Sequence, residues 1–439
     1  MLYNRLLEKV LLPIGDLLFG TSFTKELKKW RAIQKLPEEY IFRLQERNLK
    51  ELLIYATRNI PYYRDQDISF DEDPYKWVKN FPILKKPDIK ENIDSIVFRD
   101  KERLIPRAGS GSSGIQCTVY VNKREESLSN AIQVLWWEWA GYRIGDKLIQ
   151  TGMTLDRGLA KSLKDCFFRT KYITAYDYSE PLILEILKTA SRSSGFSLAG
   201  YASSLYPIAL IAQERKVETV RFETVIAWGD KLFPHYRKAI EETFSTKVYE
   251  TYGCVEGLRI AAQKDLDYMY IMSPHIYLEI VDEDGKEVPD GEMGYVLATR
   301  LDGYSMPLIR YYLGDFAVKL PREEYPEERE LNFPILQGVI GRDTDIVRTK
   351  TGKFMIVHFF TVIFEHIPEI KQFKVIQRNL DGIEIEYIRD RNFSPDILPR
   401  VRDQILDHIK EPLEIDFLEV QEIKPSPSGK PQIVESHLK

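Results

Sequence analysis

A glycine-rich run, Gly109-Ser110-Gly111-Ser112-Ser113-Gly114, leads through Ile115 and Gln116 into the stretch CTVYVN, residues 117–122. The run satisfies the G-x-G-x-x-G pattern, but the residues after it limit what it can be. A dinucleotide-binding turn needs a helix directly after the glycines, because the helix N-terminus receives the pyrophosphate. CTVYVN alternates and is β-branched, which predicts a strand. A Walker-type loop needs Lys-Ser/Thr after its last glycine, and Ile115-Gln116 stand there. A protein-kinase loop would come with V-A-I-K, H-R-D-x-x-x-x-N and D-F-G, and the chain has none of them. The run therefore reads as the turn of a hairpin. Its backbone N–H groups and the hydroxyls of Ser110, Ser112 and Ser113 can wrap phosphate oxygens. The alternative is a flexible surface loop.

The length, 439 residues, exceeds one ordinary core and points to a large domain with a smaller one. With 62 basic and 67 acidic residues the chain has no basic excess, which argues against a nucleic-acid partner. Cys117, Cys166 and Cys254 are far apart and form no C-x-x-C, so neither a zinc knuckle nor a disulfide framework is expected. A reducing, cytoplasmic setting is the plain reading. The first twenty residues, MLYNRLLEKVLLPIGDLLFG, are too short and too charged to span a membrane. They read as an amphipathic helix, packed on its own domain or lying on a membrane surface as a peripheral anchor.

Residues 1–60 have helical apolar spacing, and Pro61 is expected to end that region. SLSNAIQVLWWEWAGY predicts a helix ending at Gly141, and SEPLILEILKTA and FPHYRKAIEETF predict two more. Short β-branched runs lie between them, as in VETVRFETVIAWGD. This alternation predicts an α/β fold. Near residue 275 the pattern turns to strand–turn–strand, with Asp284-Gly285 as the turn. After about Gly341 the chain reads as a small α+β unit: a hairpin in QFKVIQRNLDGIEIEYIRD, a helix in DILPRVRDQILDHIK and a last strand in EIDFLEVQEI. The expected domains are 1–340, a large α/β domain, and 341–439, a small α+β one.

Four further stretches bear on chemistry. In VYETYGCVEG a strand runs into Tyr252-Gly253, followed by Glu256. The ring can stack on a base and the carboxylate can hold a hard cation; core packing and a surface charge are the ordinary readings. In PLIRYYLGD, Asp315 follows a glycine at an expected strand end, where it can accept two ribose hydroxyls or simply close a turn. In GRDTDIV, Arg342 sits at the domain junction, able to reach a nucleotide or to serve as a charged linker. In PSPSGKPQ, Lys430 is presented on a Pro/Gly/Ser loop, solvated or able to bring a point charge to a phosphoryl group.

The order of these segments, Ser/Gly loop, Y-G-x-x-E, R-Y-x-x-G-D, G-R-x-x-D and P-S-G-K, resembles the adenylate-forming ligases. The resemblance is to the phenylacetate–CoA ligase-like branch, which includes capsular-polysaccharide biosynthesis proteins, and it covers nearly the whole chain. YGCVEG, IRYYLGD and the N-terminal RLQERNLKELLIYATRNIPYYRD carry it most specifically. It implies that Ser110, Gly111, Ser112, Ser113 and Gly114 embrace the β- and γ-phosphates of ATP. It implies that Glu256 helps bind Mg²⁺, that Tyr252 with Gly253 packs against adenine, and that Asp315 binds the ribose. Arg342 would approach the nucleotide, and Lys430 would support adenylation. Gly229 and Asp230 of WGDKL would lie on the adenine side.

The implied reaction is ATP-dependent activation of a small-molecule carboxylic acid, followed by transfer to a thiol, with coenzyme A as the family default, or to an amine. The implied small domain is mobile and carries Lys430. The acid pocket is expected within residues 200–260, where Tyr201 and Tyr206 are either lining or core. Two departures stand out. Ile115 and Gln116 replace the usual Lys-Pro after the loop, and Val255 replaces the usual Thr before the glutamate. They leave open a non-catalytic nucleotide-binding or scaffold protein on the same fold, and a membrane-surface assembly factor acting through residues 1–20.

Overall fold

The computed structural model describes residues 2–98, 100–108, 117–152, 164–174, 180–191, 195–217, 220–342, 346–351, 354–356, 359–360, 363–364, 367, 369–424 and 432–438. The chain forms two compact units. Of the described residues, the larger holds those up to 108, 117–313 and 318–338, and the smaller holds 314–317 and those from 339 on.

The larger unit begins with helices α1 (Leu2–Leu6), α2 (Leu12–Phe19), α3 (Phe23–Ile33) and α4 (Glu38–Asn59). In α4 the residues Ile41, Gln45, Leu49, Leu52, Leu53 and Ala56 recur at three- and four-residue intervals, and all are buried. Ile60, before Pro61, is extended, as the proline ring demands. The long helix ends at Asn59, ahead of Pro61 as expected, but that proline does more than stop it. It opens one further short turn, Pro61–Arg64, because a helix's first position needs no N–H. The expected helix around residue 130 is α5 (Lys123–Trp139), started by a capping box between Asn122 and Glu125. Gly141, just beyond it, has a left-handed φ of 96°.

Strands β1 (Ile105–Ala108) and β2 (Thr118–Val121) pair antiparallel, with Ala108 opposite Thr118. The glycine-rich segment therefore joins two strands of a hairpin, as its flanking residues predict; residues 109–116 lie outside the described residues. The main sheet contains β3 (Lys147–Gly152), β4 (Thr170–Thr174), β5 (Phe196–Tyr201), β6 (Val225–Trp228) and β7 (Val248–Gly253). It continues with β8 (Arg259–Gln263), β9 (Met269–Ile271), β10 (Ile276–Val281), β11 (Met293–Arg300), β12 (Tyr311–Lys319) and β13 (Ile335–Arg342). Their order is 10-11-12-13-9-8-7-6-5-3-4.

The half from β4 to β7 is parallel, and the half beyond β7 is antiparallel where its pairing is described. Helices α6 (Glu180–Ser191), α7 (Ala202–Glu214) and α8 (Pro234–Phe244) precede β5, β6 and β7 in turn. Leu198, Val225 and Val248 stand side by side in register and are fully buried. They share one core with Ile183, Leu187, Leu205, Ile208, Ile240 and Phe244 of the helices. Both faces of a parallel sheet are covered by such helices, so its strands read as continuous apolar runs.

A buried ion pair ties the antiparallel half together. Arg310 lies between β11 and β12 with φ 49°, and its Nε donates to Oε1 and Oε2 of Glu279 at 3.1 and 3.3 Å. Its Nη1 donates to the carbonyls of Lys79 (3.1 Å) and Phe81 (3.2 Å), and its Nη2 to that of Gly285 (2.8 Å). That last carbonyl belongs to the expected Asp284-Gly285 turn, which forms with Gly285 at φ 78°. Burial raises the Glu279 pKa to about 7 against the opposing field of Arg310.

The smaller unit has the expected hairpin, β16 (Ile370–Gln377) with β17 (Gly382–Arg389), following the short pair β14 (Ile346–Arg348) and β15 (Phe354–Ile356). Helix α9 (Ile397–Ile409) buries Val401, Ile405 and Ile409, and leads to β18 (Glu414–Glu419), parallel to β17. That strand is not the last. β19 (Val434–Ser436) adds to β16 in parallel, a three-residue strand too short to be read from its alternation.

Replacing Arg310 by Met leaves Glu279 buried without its partner. Urea unfolding should show a loss of ~3–5 kcal/mol relative to the natural chain. A loss below ~1 kcal/mol, the range of exposed pairs, would show that the pair holds nothing together.

Candidate functional site

Because β5, β6 and β7 are parallel, their carboxyl ends meet at one edge of the sheet, the place where open α/β sheets bind ligands. Val225 pairs with Val248 and the pairing runs to Ala227 with Glu250, so the chain leaves β6 for Gly229 beside the last residues of β7. Thr251 Oγ1 donates to the Ala227 carbonyl at 3.3 Å and holds the two ends together. Glycine is required at both exits. Gly229 has φ 79°, and a Cβ there would stand 2.6 Å from the Tyr201 ring. At Gly253 a Cβ would stand 2.6 Å from the Leu258 carbonyl oxygen, which accepts from Cys254 N at 3.0 Å.

Asp230 acts inward. Its carboxylate accepts from Ala202 N at 2.6 Å and Ser203 N at 3.3 Å, and also from the Ser203 hydroxyl, at the N-terminus of α7. Tyr201 precedes that helix, and burial, then the charge of Asp230, raises its phenol pKa. Tyr206 stacks on Tyr236 of α8, with ring centroids 4.1 Å apart.

Glu256 follows β7 in a turn closed by Gly257 N on the Cys254 carbonyl (3.2 Å), and it is buried. The fully buried Tyr311 donates its hydroxyl to Glu256 Oε1 at 3.3 Å. Burial, then the negative charge of Glu256, pushes the Tyr311 pKa far above that of an ordinary phenol, so the hydroxyl stays a donor. The same two causes raise the Cys117 thiol to about 11 and Cys254 well above its usual value. Both remain thiols at neutral pH, which argues against a cysteine nucleophile here. Val255, in contrast, is exposed.

A polar network behind this turn holds it to α5. His275 is wholly buried; its Nε2 accepts from Arg259 N at 3.2 Å, and its Nδ1 carries the proton shared with Asp302. Arg300 donates to Asp302 Oδ1 (2.9 Å) and to the Glu125 carbonyl (3.0 Å). Arg259 donates to Gln133 Oε1 (2.9 Å) and to the Cys254 carbonyl (3.4 Å), and Ser129 Oγ donates to the Gly257 carbonyl (2.8 Å). Burial works to raise Asp302, but His275 and Arg300 outweigh it and bring it to about 2. Neither Tyr311 nor this network stands out in the sequence. Apart from Arg300 with Asp302 and Arg259 with Cys254, their partners lie 16 to 175 residues away, and the one available signal is the place of Tyr311 inside the R-Y-x-x-G-D motif.

No family model matches the chain. It is 22% identical to Protein CapK of Staphylococcus aureus over 446 residues, spanning 97% of this chain and 95% of that protein. It is 24% identical to the phenylacetate-coenzyme A ligase of Thermus thermophilus over 304 residues, 64% of this chain and 66% of the ligase. The structure of 2-hydroxyisobutyryl-CoA ligase in its postadenylation state, in complex with 2-HIB-AMP, matches with a TM-score of 0.71 at 17% identity, covering 92% of this chain and 91% of the ligase. The fold is that of the adenylate-forming ligases. Within it, the similarity is to the phenylacetate–CoA ligase-like branch.

On this adenylate-forming ligase fold, Gly229 follows the carboxyl end of β6, and Tyr252, Gly253 and Glu256 lie at or just beyond that of the adjacent β7. Asp315 is not at a strand end as expected. It lies inside β12, because Gly314, at φ 76°, lets the strand bend and continue. Arg342 closes β13, and its side chain lies outside the described residues, as do Ser110, Gly111, Ser112, Ser113, Gly114 and Lys430. Among the described residues, no group of three His, Cys, Asp or Glu forms a closed metal cage. The single buried carboxylate of Glu256 fits a cation such as Mg²⁺ that takes its other ligands from phosphate and water.

His275 offers a pH test of the network. Burial lowers its pKa from the ordinary 6.5, so the folded chain refuses a proton that the unfolded chain takes up. Stability should therefore fall as pH drops below 6.5, by up to ~1.4 kcal/mol per pH unit. The slope should flatten in His275→Gln. Equal slopes of urea stability against pH in both proteins would contradict the assignment.

Proposed function

We propose that the chain activates a carboxylic acid with ATP and then transfers the acyl group to a thiol, coenzyme A first among candidates, or to an amine. The observation that carries this reading is the buried Glu256, bonded by Tyr311 in the turn that follows the last parallel strand, β7. The similarity to phenylacetate-coenzyme A ligase and to a ligase structure holding an acyl-AMP supports it. Polysaccharide biosynthesis, as in the branch the chain resembles, is the context we propose for the product.

A carboxylate oxygen of the acid attacks the α-phosphorus, the bond to the bridging oxygen breaks, and pyrophosphate leaves. The acceptor then attacks the acyl carbon, and AMP departs with the bonding pair. Tyr252 packs on adenine, Asp315 binds the ribose, Ser110–Gly114 hold the β- and γ-phosphates, and Arg342 approaches the nucleotide. Asp230 keeps the Gly229 turn in place through α7. Glu256 would hold a divalent cation, which would supply charge neutralisation at the phosphates, and Lys430 adds a positive charge to the leaving oxygens. In this reading residues 1–340 bind ATP and acid, while 341–439 form a mobile domain that carries Lys430.

A second reading, a nucleotide-binding protein without catalysis, draws on the exposed Val255 before Glu256, where the resemblance implies a threonine hydroxyl. ATP–pyrophosphate exchange over aryl, fatty and amino acids separates the two. An active acid should be found, and Glu256→Gln and Lys430→Ala should each lower exchange by roughly 10²–10³, or ~3–4 kcal/mol. Unchanged exchange in either variant removes that residue from the mechanism. ATP binding with no exchange for any acid selects the second reading.

A further inference from the structure

The N-terminal helix is apolar on two faces. It runs through α1, a π-turn at Leu7–Leu11 and α2, ending at Gly20 with φ 63°. Its inner face is fixed to the larger unit. Leu7 is buried, and Tyr3, Leu11 and Leu12 pack on the cluster of Leu27, Trp30, Leu128 and Leu135. Tyr3 Oη donates to the Phe167 carbonyl and Asn4 Nδ2 to Asp146 Oδ1, both at 2.6 Å. The outer face carries Leu2, Leu6, Val10 and Ile14 at four-residue steps, then Leu17, Leu18 and Phe19. Leu2 is 86% exposed, Leu17 84%, Leu18 73% and Phe19 69%. Among the described residues, the other large exposed apolar side chains are far apart in sequence, the usual pattern for a surface.

The charges of the N-terminal segment indicate what covers this face. Residues 1–35 hold seven Lys and Arg against three Asp and Glu, in a chain whose net charge is −5. All three acids are engaged within the fold. Glu8 pairs with Arg31, Asp16 accepts from Phe23 N (3.0 Å) and Thr24 N (2.8 Å), and Glu26 is buried against Arg124. Arg5, Lys9, Lys25, Lys28 and Lys29 are exposed and form no ion pair among the described residues. Arg5 and Lys9 each precede an outward apolar residue, Leu6 and Val10, and so flank the stripe. A second copy of the chain would bring like charges together at this face, whereas a surface of acidic lipid complements them. No helix among the described residues is long and apolar enough to cross a membrane.

We propose that the N-terminal helix seats the protein on an anionic lipid surface, with Leu2, Leu6, Val10, Ile14, Leu17 and Leu18 in the acyl boundary and the basic residues at the headgroups. The inference is independent of the reaction assigned above.

Co-sedimentation of the full chain with phosphatidylcholine vesicles, and with phosphatidylcholine–phosphatidylserine vesicles, tests it at low and high salt. Binding should favour the mixed vesicles and weaken with salt. Leu17→Glu with Leu18→Glu should reduce it roughly tenfold or more, as should Lys25→Glu with Lys28→Glu. These side chains are exposed, so urea midpoints should match the natural chain. The proposal fails if the natural chain stays in the supernatant with mixed vesicles at low salt, or if both variants bind like it. It also fails if light scattering finds a dimer that Leu17→Glu dissolves, since a second copy would then cover the face.

Discussion

Leu198, Val225 and Val248 stand in one row across three parallel strands, and this register decides where the chain leaves the sheet. Burial of that row against the preceding helices sets the phase of each strand; a slip of one residue would turn the apolar side chains to the wrong face. With the phase set, β5 ends at Tyr201, β6 at Trp228 and β7 at Gly253, all at the same edge. The turns carrying Gly229 and Glu256 are therefore neighbours because of core packing that lies behind them.

Motif residues divide by what they hold. Arg310, first in the R-Y-x-x-G-D motif, turns inward to Glu279 and three backbone carbonyls, and Asp230 turns inward to the start of α7. Tyr311 and Glu256 form the next layer, one a permanent donor and the other its acceptor. Behind them, a neutral His275 reads a backbone N–H with one nitrogen and a carboxylate with the other, an arrangement that only one tautomer permits. The turn at residues 254–257 is thus fastened from α5, β8 and the Asp302 segment together, which orients Glu256 without any ligand.

Much of this fold could be read locally. The periodicity of α4 and α5, the β-branched run after the glycines and the Asp284-Gly285 turn each express a preference of a few neighbouring residues. Pro61 and Asp315 show where local reading is incomplete. Pro61 suits the start of a turn as well as the end of a helix, and Gly314 bends β12 without ending it. The two-residue partnership of Tyr311 with Glu256 spans 55 positions, and His275 gives no sign of its role within HIYLEI. Such contacts come from sheet order, which periodicity does not contain. Glu256 itself is legible only through its place in a series of motifs, since a lone glutamate after a strand is ordinarily a solvated charge.

The carboxyl edge of β6 and β7 is, on this account, the receiving surface for a nucleotide. A crystal structure of the full chain with an unreactive ATP analogue and Mg²⁺ tests it most directly. Difference density should place adenine against Tyr252 and Gly229, with the metal on Glu256. Nucleotide density elsewhere on the larger unit, with this edge left to solvent, would contradict the account.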